Sequence, residues 1–140
     1  MKVTLDRINS DYLFEAKSNS GSSIFIDNSS VDEAKGASPM ELLLMGVGGC
    51  SAIDVISILK KQRQDIKSYR MEVTGGREVV REAKPFNSMH VAIHLEGDID
   101  EAKAIRAAEL SFDKYCSVSI TLEQGVEIDY SIFLNGNKVK

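Results

Sequence analysis

The chain has 140 residues, 43% hydrophobic and 27% charged, with a formal net charge of −4. That length is expected to bury the core of a single domain, residues 1–140, and the acidic balance excludes a nucleic-acid surface, which needs clustered Lys and Arg. The longest apolar run, Leu42–Val47, is far below the roughly 20 residues of a bilayer span. Met1–Arg7 has an early acid and no apolar signal core, so a cytoplasmic protein away from membranes is expected.

The first elements read as strands. Val3 and Leu5 alternate with polar neighbours, Tyr12–Ala16 forms a second short strand, and a turn over Ser18–Gly21 leads to a third at Ser23–Asp27. Residues 28–37 are rich in Ser, Asp, Gly and Lys and read as an exposed loop. Ser38-Pro39 then opens a helix, with Ser38 as cap, Pro39 in the first turn and Glu41 placed as in a capping box. Apolar residues occupy every side of this helix, so it is expected to be buried nearly all round. It ends near Lys60–Arg63, a solvated and positively charged terminus. Tyr69, Met71 and Val73 alternate as a strand broken at Gly75-Gly76, and Met89–Leu95 is another strand. Asp98 or Asp100 caps a second helix running through Phe112, and Val126–Phe133 closes the chain as a strand. The pattern is α+β.

Two cysteines carry the chemical interest. Cys50 lies inside the first helix beside Gly46, Gly48 and Gly49, each of which costs a helix interior about 1 kcal/mol relative to alanine. Such a helix needs something packed against its backbone. Cys116 lies at the end of the second helix, in Asp113-Lys114-Tyr115-Cys116-Ser117-Val118. Two cysteines in a reducing compartment imply thiol chemistry or packing rather than a disulfide framework. A reactive pair would have Cys50 oxidised to a sulfenic acid and resolved by a second thiol, whereas free cysteine is also among the most buried residue types. Asp54 follows Cys50 by one helical turn, where its carboxylate opposes thiolate formation. His90, His94 and Glu96 share one face of a strand, but alternate strand residues diverge. No zinc-finger spacing is present, and neither a metal nor a cofactor is expected.

The segments Gly48-Gly49-Cys50-Ser51-Ala52-Ile53-Asp54 and Asp113–Val118, with the Ser38-Pro39 helix start, resemble the OsmC/Ohr family of bacterial thiol peroxidases over nearly the whole chain. They are most similar to its YhfA-like subgroup, OsmC-like proteins of unassigned function. The resemblance implies β-sheets packed around two central helices in an intertwined homodimer. It implies a thiol-dependent redox protein in which Cys50 attacks an organic hydroperoxide, Cys116 resolves it and a dithiol is the reductant. The alternative is a non-enzymatic ligand-binding or stress-related protein on the same scaffold. Peroxidase members carry a glutamate directly after the proline, paired with an arginine from the N-terminal strands. Here that position is Met40, the acid follows at Glu41, and the N-terminal strands offer Arg7, with Lys17 as a substitute that lacks the guanidinium fork.

Overall fold

The computed structural model describes residues 1–140 and divides them into two compact units, Met1–Leu43 and Leu44–Lys140. The first unit is a three-stranded antiparallel meander of β1 (Val3–Arg7), β2 (Phe14–Ser18) and β3 (Ser23–Ile26). The second strand begins two residues later than the Tyr12 start expected from its apolar run. Asn9 is the reason: its side-chain carbonyl accepts from the N–H groups of Asp11 and Leu13 and holds this stretch as a turn. Val3, Leu5, Ile24 and Phe25 all remain exposed within the chain.

The capping box forms as the sequence predicts. The N–H of Ser38 donates to Glu41 Oε2 at 2.7 Å, the Ser38 hydroxyl donates to the same oxygen at 2.8 Å, and the Glu41 N–H donates back to Ser38 Oγ at 3.3 Å. These bonds from the Ser38 N–H and hydroxyl hold the Glu41 carboxyl below its ordinary value. The carboxylate's contribution to stability is therefore complete above its unfolded-state value and is lost as pH falls through the lower folded one. Glu41→Gln is expected to lower the melting temperature slightly at neutral pH. The difference from wild type should close on acidification, and a gap independent of pH would show that charge plays no part in the cap.

α1 (Pro39–Lys61) runs out of this box for 23 residues and has the length and composition of a membrane span, beyond what the Leu42–Val47 run suggested. Its Val47, Gly48, Ser51, Val55 and Leu59 are buried in a packed protein core. The other sides are not covered, contrary to the expectation of all-round burial. Met45 is 58% and Ile53 71% exposed in the single chain. Gly48 has a clear packing reason: a Cβ there would come within 3.0 Å of Val73 Cγ2 and 3.3 Å of Met71 Sδ, whereas one on Gly49 would meet nothing within 4 Å.

The sheet of the second unit has the order β4 (Asp65–Arg77), β5 (Phe86–Asp98), β6 (Glu127–Leu134), β7 (Asn137–Lys138). β4 runs straight through Gly75-Gly76, where a break was expected. The missing side chain is the reason, because a Cβ on Gly75 would lie 2.2 Å from Phe86 Cε1. β4 and β5 are antiparallel, while β5 and β6 are parallel and therefore need a crossover. That crossover is α2 (Glu101–Leu110), capped by Asp100, then a π-helical turn over Ser111–Tyr115 and a further short helix, α3 (Ser117–Leu122). One face of the sheet places Val91, Ile93, Leu95 and Ile132 in the core, joined by Ala104, Ala107 and Ala108 of α2, all essentially inaccessible.

Candidate functional site

Cys50 and Asp54 are four residues apart on α1, a spacing that stacks their side chains on one helix face. Cys116 reaches the same place because the second helix does not continue as expected through Phe112. It ends at Leu110 and widens into the π turn, closed by the Cys116 N–H donating to the Ser111 carbonyl at 2.7 Å. The Sγ atoms of Cys50 and Cys116 and a carboxylate oxygen of Asp54 all lie within 4.8 Å of one another. Neither cysteine is in a disulfide; Cys50 is half-buried and Cys116 fully buried.

Two serines that the sequence reading passed over fix this cluster. The Ser111 hydroxyl donates to Asp54 Oδ2 at 3.3 Å and lies 3.5 Å from the Ser51 carbonyl. The Ser119 hydroxyl donates to Cys116 Sγ at 3.1 Å. Ser111 and Ser119 are both buried, and buried hydroxyls need such partners. The one available signal was a small hydroxyl residue three positions after Cys116, which becomes informative only once α3 is known to start there. Burial pushes the Cys116 thiol above its ordinary value; the Ser119 hydrogen bonds act against this, and the neighbouring Cys50 thiol adds to it. On the Asp54 side the cluster borders a cleft of about 510 Å³ lined by Asp54, Ser57, Ile58, Lys61, Leu110 and Tyr115.

The other candidates have partners of their own. Glu41 closes the capping box. The Arg7 guanidinium donates to the backbone carbonyls of Asp11, at 2.7 Å, and Ser10, and Lys17 pairs with Glu15 at 3.3 Å. All three belong to the N-terminal unit. The histidines do not form a shared metal face. His90 Nδ1 lies 2.6 Å from Asp129 Oδ1 and its Nε2 3.0 Å from Ser131 Oγ. His94 stacks on Phe133 at a centroid distance of 4.6 Å. The Ser131–His90–Asp129 series has the order of a hydrolytic triad, but Ser131 is only 6% exposed in the middle of β6, so the series ties two strands together and offers no accessible nucleophile.

The α+β scaffold on which α1 and the crossover bring two free cysteines together is that of the OsmC/Ohr class of proteins. The chain belongs to the OsmC-like family, whose model it matches over residues 32–131. It is 44% identical to protein YhfA of Escherichia coli K12 over 121 residues, covering 84% of this chain and 87% of the relative. An OsmC-like protein from Mycoplasma pneumoniae shares the fold at a TM-score of 0.81 and 20% identity, over 95% of both chains. The organic hydroperoxide resistance protein OhrB of Bacillus subtilis shares it at a TM-score of 0.64 and 18% identity, over 94% of this chain and 96% of that one. α1 is thus the core helix of this fold.

Proposed function

We propose that this protein is a cytoplasmic homodimeric thiol peroxidase that reduces organic hydroperoxides through Cys50. The observation that carries this reading is the approach of the Cys50 and Cys116 sulfurs to within 4.8 Å. A disulfide needs about 2.05 Å, so the sulfurs have less than 3 Å to close, within the range of a side-chain rotation. Accessibility supports a division of roles. Cys50 is reachable from solvent and acts as nucleophile; Cys116, fully buried and with a raised thiol, acts as resolving partner. The Cys50 thiolate attacks the distal peroxide oxygen, the O–O bond breaks, and the alcohol leaves with a proton taken from solvent. The resulting Cys50 sulfenic acid condenses with the Cys116 thiol, releasing water and forming the disulfide. An external dithiol then returns both cysteines to thiols. The cleft beside Asp54 supplies Ile58, Leu110 and Tyr115 for an organic group and Lys61 for a polar one. An organic hydroperoxide resistance protein shares the fold, which supports the substrate class.

The second reading is a ligand-binding, stress-related protein with inert thiols. It is favoured by Met40 and by the commitment of Glu41 to the helix cap. Intact mass after stoichiometric cumene hydroperoxide separates the two. The peroxidase reading expects rapid loss of two hydrogens, restored by dithiol. An unchanged mass at high peroxide would leave the binding reading.

A further inference from the structure

The Cys50–Asp54–Cys116 cluster contains three groups that become anionic, gathered with no cation paired to Asp54 in its own chain: the ion pairs of the structure all lie elsewhere. Like charges brought together disfavour one another, and a bound cation reverses that sign. We infer that Cys50, Cys116 and Asp54 form a binding site for a soft divalent cation of the zinc type, with two thiolate ligands, one carboxylate ligand and an open fourth position.

The donor set and its spacing carry the inference. Tetrahedral zinc with Zn–S bonds of about 2.3 Å and Zn–O of about 2.1 Å places its ligand atoms roughly 3.5–3.8 Å apart. The three donor atoms already fall within 4.8 Å of one another, so shortening each pair by about 1.3 Å or less closes the site. Two ligands come from successive turns of one rigid helix and the third, Cys116, from the residue that closes the π turn, so the backbone frame exists before a metal arrives. Thiolates select zinc-like ions over magnesium and calcium. The outer groups of a metal centre are also present: Ser111 orients the Asp54 carboxylate and Ser119 orients the Cys116 sulfur. A solvent-accessible cleft adjoins the cluster at its Asp54 ligand.

Binding is balanced by protons. One Zn²⁺ displaces the protons of the Cys50 and Cys116 thiols, coordinates the existing Asp54 carboxylate and releases two H⁺ to solvent, with no change of oxidation state. The site shares its sulfurs with the peroxide chemistry proposed above but does not depend on it. Metal and disulfide exclude each other, so a loaded site holds the thiols reduced, and formation of the disulfide expels the metal.

The test is an anaerobic titration of the reduced full-length protein with Co²⁺, followed by displacement with Zn²⁺. Expected are sulfur-to-cobalt charge-transfer absorption, the visible bands of a tetrahedral centre, one metal per chain, and two protons released per Zn²⁺. Cys50→Ser should cut the charge-transfer signal at least in half and weaken binding, and Asp54→Asn should weaken binding at least tenfold while retaining it. Absence of thiolate-to-cobalt absorption in folded wild-type protein, or identical binding by Cys50→Ser, would overturn the inference. The peroxide reading is judged separately by the mass experiment: cobalt binding with thiols inert to hydroperoxide would leave the metal site and remove the peroxidase.

Discussion

Cys50→Ser is expected to abolish dithiol-dependent hydroperoxide consumption, lowering kcat/KM by more than about three orders of magnitude, the scale on which an enzyme loses its nucleophile. A serine hydroxyl at this position retains the size of the thiol but stays protonated at neutral pH, and only the thiolate attacks. Cys116→Ser should behave differently. Its nucleophile is intact, so each chain consumes one hydroperoxide and stops as a Cys50 sulfenic acid, detectable as a gain of one oxygen and trapped by a dimedone-type reagent. The contrast between no turnover and one turnover follows from the exposure of the two sulfurs, since only Cys50 meets solvent. Because Cys116 is buried beside Ser119, its serine variant requires a melting curve alongside the assay. Hydroperoxide consumption by folded Cys50→Ser at the wild-type rate would end the peroxidase reading.

The features that were readable before the structure are local ones. Ser38, Pro39 and Glu41 announce a helix start by capping chemistry alone, and Cys50 and Asp54 share a face by helical arithmetic. What was not readable depended on a departure from the regular helix. Nothing in Ser111-Phe112-Asp113-Lys114-Tyr115 distinguishes a π turn from a continuing α-helix by composition, yet that turn aims Cys116 at α1 and starts α3. Gly75-Gly76 misled for the opposite reason. Glycines usually interrupt a strand, and here they admit the Phe86 ring and the Ser88 side chain from the adjacent strand. The uncovered sides of α1 show a third limit. An apolar residue in a sequence does not say whether its own chain covers it.

That last point yields the second large effect: Ile53→Asp is expected to dissociate the proposed homodimer. Along α1, Met45, Gly49 and Ile53 recur every fourth residue and form one exposed stripe. In the N-terminal unit Val3, Leu5, Ile24 and Phe25 are exposed as well. An exposed apolar stripe such as that of α1 marks an interface. In a two-fold dimer each residue is buried twice. Losing two Ile53 contacts at about 2 kcal/mol each weakens association by about 4 kcal/mol, or roughly a thousandfold in Kd, before any cost of burying two carboxylates. On a free surface the same change would cost only a few tenths of a kcal/mol in helix propensity. Sedimentation equilibrium at micromolar protein separates the cases, with Ile53→Ala as a milder variant that keeps the helix. Wild type is expected to sediment as a dimer, Ile53→Asp as a monomer with a melting temperature lowered by many degrees, and Ile53→Ala between them. A wild-type protein that sediments as a stable folded monomer would remove the homodimer, and a dimer unaffected by Ile53→Asp would move the interface off this stripe.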